Sequence, residues 1–286
     1  MIVFDENLRN LMRQRAAPNG TDHDFLIRMA WADIIDRLDM IKRTFNSAYT
    51  LSTRALDTLK SSQKILSNIR PLSYHHGELI APDGPRPDLI LSCFDLHSIN
   101  DLPGLLAQIR NLLEPDGVFI AAFPGGETLY QLRSAITTTE LALRGGISPR
   151  IFPFIDKQQA GALMQRAGFS LPVVDSETTT IDYTNLTRLC HDLRYMGEGN
   201  AIAARDKRIP PKHFFTETEK VYQAQSGTKN GYIPATFEII HVIGWGPSDK
   251  QQKPLKPGSA QLRLADALGT KEIGADDFIH PDPKIK

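Results

Sequence analysis

The chain has 286 residues, 41% of them hydrophobic, and its 33 Lys and Arg balance 33 Asp and Glu to a formal net charge of zero. That length suits one large domain, or a domain with a substantial addition. The balanced charge excludes a general basic grip on nucleic acid or on an anionic membrane. The two cysteines, Cys93 and Cys190, lie far apart and outside any CxxC spacing, which excludes a disulfide framework and points to a reducing, cytoplasmic setting.

In chain order, residues 1–20 read as an N-terminal arm ending in the breaker "APNG", with no apolar core of the length a secretory signal needs. "DFLIRMAWADIIDRLDMIKRTF" places Leu26, Ala30, Ile34, Leu38 and Ile41 at three- and four-residue steps, which predicts an amphipathic helix capped by Asp22 or Asp24. "SAYTLST" reads as a short strand, "RALDTLKSSQ" as a helix, and "KILSNI" as a second strand. "HHGELIAPDGPRP" is a loop punctuated by Pro and Gly. Its His75, His76 and Glu78 are ligand types of a non-haem iron site, but adjacent histidines diverge in direction, and no metal is expected there.

The signal then strengthens. Asp88 to Phe94, "DLILSCF", is a near-continuous apolar run, as a strand covered on both faces of a parallel sheet requires. Leu105, Leu106, Ile109, Leu112 and Leu113 form one helical stripe, and Val118 to Phe123, "VFIAAF", is another buried strand. Strands alternating with helices at this spacing predict βαβ units in an α/β fold. "ETLYQLRSAITTTELALRGG" is helical up to its paired glycines. A further helix, a strand and a helix follow, the last containing "CHD", where Cys190 is expected in the core with His191 and Asp192 at the surface. "ATFEIIHVIGWGP" alternates like an antiparallel strand. These elements divide the chain into an arm (1–23), an α/β core (24–126), an addition completing the sheet and covering the cleft (127–246), and an extended tail (247–286). The tail segment "QQKPLKPGSA" could contact a partner or lie across its own domain. No apolar run approaches the roughly 18 residues of a membrane span.

Several stretches carry a resemblance: "FDLHSINDLPGLLAQIRNLLEPDGVFIAAFPGGETLYQLR", "GGISPRIFPF", "QRAGFSLPVVDSE", "DLRYMGEGNA", "ATFEIIHVIGW" and "QQKPLKPGSA". Together they resemble a subgroup of the class I S-adenosylmethionine (SAM) methyltransferases, that of the mitochondrial complex I assembly factor 5 and its alphaproteobacterial relatives. More loosely they resemble malonyl-carrier-protein methyltransferase. The resemblance implies a Rossmann-like core, SAM as cofactor and a respiratory complex I subunit or other protein as partner. It leaves three activities open: methyl transfer, non-catalytic scaffolding in assembly, and hydroxylation of a protein arginine.

The cofactor half departs from that pattern. The family's glycine turn lets backbone approach the ligand and presents helix N-terminal amides to it. It falls here on "AYTLSTRAL", where Thr50 stands at the acidic position and Ser52, Arg54 and Leu56 at the glycines. The ribose position offers Ser67 and Asn68 but no carboxylate, and Phe94 follows the next strand. SAM binding is therefore expected to be weakened or lost. Asp95 and His97, on the edge where open α/β sheets bind ligands, are candidate cleft residues, or else cap and pack the junction, with Asn100 or Asp101 capping the next helix. Tyr130 and Arg133 are candidates for the cleft's other side.

Overall fold

The computed structural model describes residues 2–19, 23–65, 69–252, 266 and 268–270. The chain divides into two compact units, Met1–Ser248 and Asp249–Lys286. Most of the second unit, including the tail segment from Lys253 to Ala260, lies outside the described residues.

The first unit is built on a six-stranded sheet. Its strands are β1 (Ala48–Thr50), β2 (Arg70–Pro71), β5 (Leu89–Cys93), β6 (Val118–Pro124), β7 (Ser170–Tyr183) and β8 (Ile233–Trp245), in the spatial order β2-β1-β5-β6-β8-β7. The β2, β1, β5 and β6 neighbours pair in parallel, whereas β8 runs antiparallel to both β6 and β7. A separate hairpin joins β3 (Tyr74–His75) to β4 (Glu78–Leu79). This is a Rossmann-like α/β core whose last two strands come from the C-terminal addition.

The period of two along the central strands sorts their side chains into two cores. Leu89, Leu91 and Cys93 of β5, with Val118, Ile120 and Ala122 of β6, face α2 (Phe25–Met40), which contributes Trp31, Ile34 and Leu38. Ile90, Phe119, Ala121 and Phe123 point the other way, against Leu105 and Ile109 of α3 (Leu102–Leu112) and Met164 of α5 (Lys157–Arg166). Both central strands are buried along their whole length, which is why they read as apolar runs rather than as alternating ones. Asp101 accepts from Gly104 N at 2.9 Å and so caps α3. At the start of α2, Asp24 occupies the cap position without a side-chain bond, and Asp22 lies outside the described residues. The helix α4 (Tyr130–Arg144) ends at Gly145, whose φ of +66° is the left-handed stop expected of a glycine there.

Two expectations need correction. "RALDTLKSSQ" is not an α-helix but a single 3-10 stretch, Leu56–Ser61; it has too few apolar residues at helical spacing to bury a stripe. Among the described residues of "KILSNI", Ile65 makes an isolated parallel bridge with Phe45 while Leu66, Ser67 and Asn68 lie outside the described residues, and the paired strand comes at Arg70–Pro71. Pro71 cannot donate to a ladder, and it sits on the sheet's edge accordingly. The N-terminal segment, in turn, is more than an arm. It forms α1 (Glu6–Ala16), capped by Asp5, and is pinned where Val3 N and Phe4 N both donate to Asn100 Oδ1 at 2.8 Å. None of the described helices is long and apolar enough to cross a membrane.

Candidate functional site

The carboxyl ends of β1 and β5 open toward α1 and toward the segment after α6 (Leu186–Tyr195). Open α/β sheets place their ligands at such an edge. The turn leaving β1 is closed by hydroxyls. Thr50 Oγ1 accepts from Ser52 N at 3.0 Å, and Ser52 Oγ accepts from Cys93 N at 2.6 Å while also bonding Asp95 Oδ2. Both residues are buried, so their polar atoms are spent within the protein. Trp31 Nε1 donates to Arg54 O at 2.9 Å, which holds the loop against α2. Ala55 then takes a left-handed φ of +52° that a glycine would adopt without strain. Leu56 turns into the first core as a partly buried packing residue.

Arg54 dominates this end of the sheet. Its guanidinium donates to Phe94 O at 2.6 Å, to Met196 O at 2.8 Å and to Glu198 Oε1 at 2.8 Å. Arg13 of α1 arrives from the other side and donates to Asp95 Oδ1 at 2.6 Å and to the same Phe94 carbonyl at 2.7 Å. Phe94 has a φ of +59°, an uncommon conformation for a bulky residue, and its carbonyl is the acceptor both guanidiniums share. His97 Nε2 lies 2.8 Å from Glu198 Oε2, and Arg13 approaches Glu198 at 3.5 Å. Two cations thus face two carboxylates, with an imidazole closing the group. The geometry is that of charge-assisted, partly shared hydrogen bonds.

The electrostatics follow from burial. Burial opposes ionisation of Glu198, but His97, Arg54 and Arg13 hold its carboxyl well below the usual range. Burial lowers the Arg13 guanidinium, with Arg54 adding to the effect, while for Arg54 the attraction of Glu198 and Asp95 outweighs burial and raises it. Burial pushes His97 down, against the opposing pull of Glu198, 2.8 Å from its Nε2. Its Nδ1 is buried without a partner, among the rings of Phe152 and Phe154 at 5.9 Å.

This charged group stands between two clefts. The first, of about 660 Å³, is the more polar of the two and is lined by Arg9, Arg13, Arg28, Thr53, Arg54, Tyr74 and Asp95 among others. The second, of about 700 Å³, is largely apolar; Phe94, Leu129, Phe152, Phe154, Tyr195 and Phe237 line it, together with Glu198. Arg54 belongs to the first lining and Glu198 to the second, so their 2.8 Å contact forms part of the wall between them.

The wall also tests the fit of SAM. At the turn after β1 the Arg54 guanidinium is spent on Phe94 O and the hydroxyls of Thr50 and Ser52 bond within the protein, yet the first cleft is lined by Leu51, Thr53, Arg54 and Ala55 of that same turn. The turn keeps no glycine by which backbone could approach SAM, while the cleft beside it stays open. Ser67 and Asn68 lie outside the described residues.

Of the remaining sequence candidates, Asp95 and His97 meet at the site, through Arg13 and Glu198 respectively. Tyr130 and Arg133 do not: neither lines either cleft, Tyr130 is about half exposed, and Arg133 turns back to Thr128 O at 3.4 Å. Sequence reasoning missed Arg13, in what reads as an arm, and Glu198. One signal for Glu198 was available: it is the lone carboxylate in "MGEGNA", between two glycines. A Cβ on Gly197 would meet Arg13 Cα at 3.1 Å, and one on Gly199 would meet Met12 Sδ at 2.9 Å. The glycines let α1 lie close enough for Arg13 to reach the site.

His75, His76 and Glu78 do not gather as metal ligands. His76 and Gly77, with φ of +51° and +89°, make the turn of the β3–β4 hairpin, and His75 opposes Glu78 across it. Among the described residues, three such ligands meet instead at His23, His191 and Asp192, and at Asp33, Glu177 and His241.

Comparison with known proteins places these features in context. No family model matches the chain. The "Arginine-hydroxylase NDUFAF5, mitochondrial" of Danio rerio is 33% identical over 96% of this chain and 92% of its own length. The protein of the same name from Mus musculus is 40% identical over 95% of this chain and 85% of its own. A "Malonyl-[acyl-carrier protein] O-methyltransferase" of Halorhodospira halophila is 30% identical over 62% of this chain and 60% of its own.

Proposed function

Since the chain belongs to the NDUFAF5 family, we propose that it is a methyltransferase-fold protein that has given up SAM and works as a partner-binding scaffold in respiratory complex I assembly. The observation that carries the reading is the Arg54–Glu198 contact with Arg13, Asp95 and His97 around it. Methyl transfer needs donor and acceptor in line and a few ångströms apart. A charged wall between the two clefts keeps a donor in one from an acceptor in the other. The apolar cleft, with its aromatic lining, is the surface left for a partner to use.

The test is calorimetric titration of the folded protein with SAM and S-adenosylhomocysteine, backed by thermal shift. A ligand at about 100 times its Kd would stabilise the fold by roughly 2.7 kcal/mol; the expectation is no heat and no shift at millimolar ligand. Binding with a Kd below millimolar would overturn the reading.

A second reading is hydroxylation of a protein arginine, favoured by the name the NDUFAF5 relatives carry. Incubating the chain with a candidate complex I subunit, and weighing that subunit intact, tests it. A mass gain of one oxygen on an arginine, absent without the chain, supports hydroxylation; an unchanged mass with stable co-purification supports scaffolding.

A further inference from the structure

Away from the charged wall, the start of α2 and the middle of α6 bring two imidazoles and a carboxylate together. One potential ligand atom each from His23, His191 and Asp192 lies within 4.8 Å of the others. His23 Nδ1 and Asp192 Oδ1 are 2.9 Å apart. Two ligands held at about 2.1 Å from one ion, at a right angle or a little wider, are separated by roughly 3.0–3.4 Å. The contact is therefore close to the edge of a coordination shell already. His191 is exposed, so a rotation of its ring can close the rest of the distance without disturbing the core. The Tyr195 ring orders both imidazoles, stacked on His23 at 4.8 Å and edge-on to His191 at 4.3 Å.

The buried Tyr183 side chain packs beside Asp192. The other three-ligand group is less suited to a cation: the Arg37 guanidinium already holds Glu177 at 3.3 Å and Asp175 at 2.7 Å beside it.

We propose that His23, His191 and Asp192 form a binding site for a divalent transition-metal ion. Two imidazoles with one carboxylate select ions such as Zn²⁺, Co²⁺ or Fe²⁺ over Mg²⁺ and Ca²⁺, which prefer all-oxygen shells. Three protein ligands leave at least one coordination position open to water or another small ligand. The site flanks both clefts in sequence: Asp24, after His23, lines the polar cleft, and Cys190, Leu193, Arg194 and Tyr195 around the α6 ligands line the apolar one. It stands whether or not the polar cleft admits SAM.

The test uses the full chain, tag-free and dialysed against chelator, titrated with Zn²⁺ by calorimetry and with Co²⁺ by visible absorption. One equivalent should bind in the micromolar range, with d–d bands and no competition from millimolar Mg²⁺. His191→Ala and Asp192→Asn should each weaken binding by about tenfold or more, whereas His75→Ala/His76→Ala should leave it unchanged. His191 is exposed, so its variant retains the fold, checked by circular dichroism. No binding by the parent chain, full binding by His191→Ala, or loss of binding only in the His75/His76 variant would each overturn the proposal.

Discussion

Replacing Glu198 with alanine is the sharpest test of the wall between the clefts. The side chain is 12% exposed and closes contacts with Arg54 at 2.8 Å, His97 at 2.8 Å and Arg13 at 3.5 Å. Its removal leaves two guanidiniums, 13% and 16% exposed, sharing the Asp95 carboxylate and the Phe94 carbonyl. Breaking a buried pair from one side costs about 3–5 kcal/mol, because a desolvated charge loses its counterion. Asp95 still compensates Arg13, so the lower end, about 3 kcal/mol, is the expected loss. In a domain of this size 1 kcal/mol moves the melting temperature by roughly 2–4 °C, and differential scanning calorimetry should record a fall of about 6–12 °C. Glu198→Gln, which keeps a hydrogen-bonding group but drops the charge, should fall between alanine and the parent. Removing both partners together, as Arg54→Met/Glu198→Leu, should recover part of the loss, since well-packed apolar pairs often replace buried ion pairs without penalty. The Glu198 contribution is present above the ordinary carboxylate pKa and is lost as the pH falls through the depressed folded value. It therefore persists at mildly acidic pH. A melting temperature within about 2 °C of the parent for Glu198→Ala would refute the reasoning.

Three further outcomes can be checked directly. The triple change Ser52→Gly/Arg54→Gly/Leu56→Gly should lose stability, because Ser52 ties β1 to β5, and should gain no SAM affinity by calorimetry; measurable SAM binding would mean the family pocket survives beneath the side chains. His241 is fully buried with its Nε2 3.5 Å from Asp33 Oδ2, and burial, then Arg37, lowers its pKa to about 4. A depressed histidine contributes stability above its unfolded value that is lost as pH falls toward the folded one, so urea unfolding should show a loss of about 2 kcal/mol between pH 7 and pH 5; His241→Leu should abolish that part of the slope. Asp101→Ala removes the α3 cap and should cost about 1 kcal/mol in the same urea experiment, with no effect on either cleft.

The sheet was legible because its central strands are covered on both sides. Burial on both faces forces an apolar residue at nearly every position, and β5 and β6 stand out from their surroundings for that reason alone. The C-terminal strands were harder: β7 is half exposed along its length, so its composition is mixed and only β8, buried against it, shows clearly. The first crossover was misread because nothing in "RALDTLKSSQ" distinguishes a polar surface helix from a 3-10 turn until the packing is known. There, Leu56 and Leu59 pack into the core, too few apolar contacts to sustain an α-helix.

The site was legible by halves, and the division has a physical cause. Thr50, Ser52 and Arg54 announced a lost glycine turn by their side chains alone, since steric exclusion at a ligand's approach is a local property. The charged partners of that turn are not local. Arg13 reaches Asp95 across 82 residues and Arg54 reaches Glu198 across 144, and no spacing rule links partners so far apart. Yet the chemistry constrained the answer. An arginine introduced at the end of a buried strand must find acceptors, because a desolvated guanidinium without them costs several kcal/mol. Asp95 lay nearby but was taken by Arg13. A second carboxylate was therefore required from elsewhere in the fold, and the one acid framed by glycines beside α1 supplies it. The stability of any chain carrying an arginine at this turn should depend on an acid at the Glu198 position.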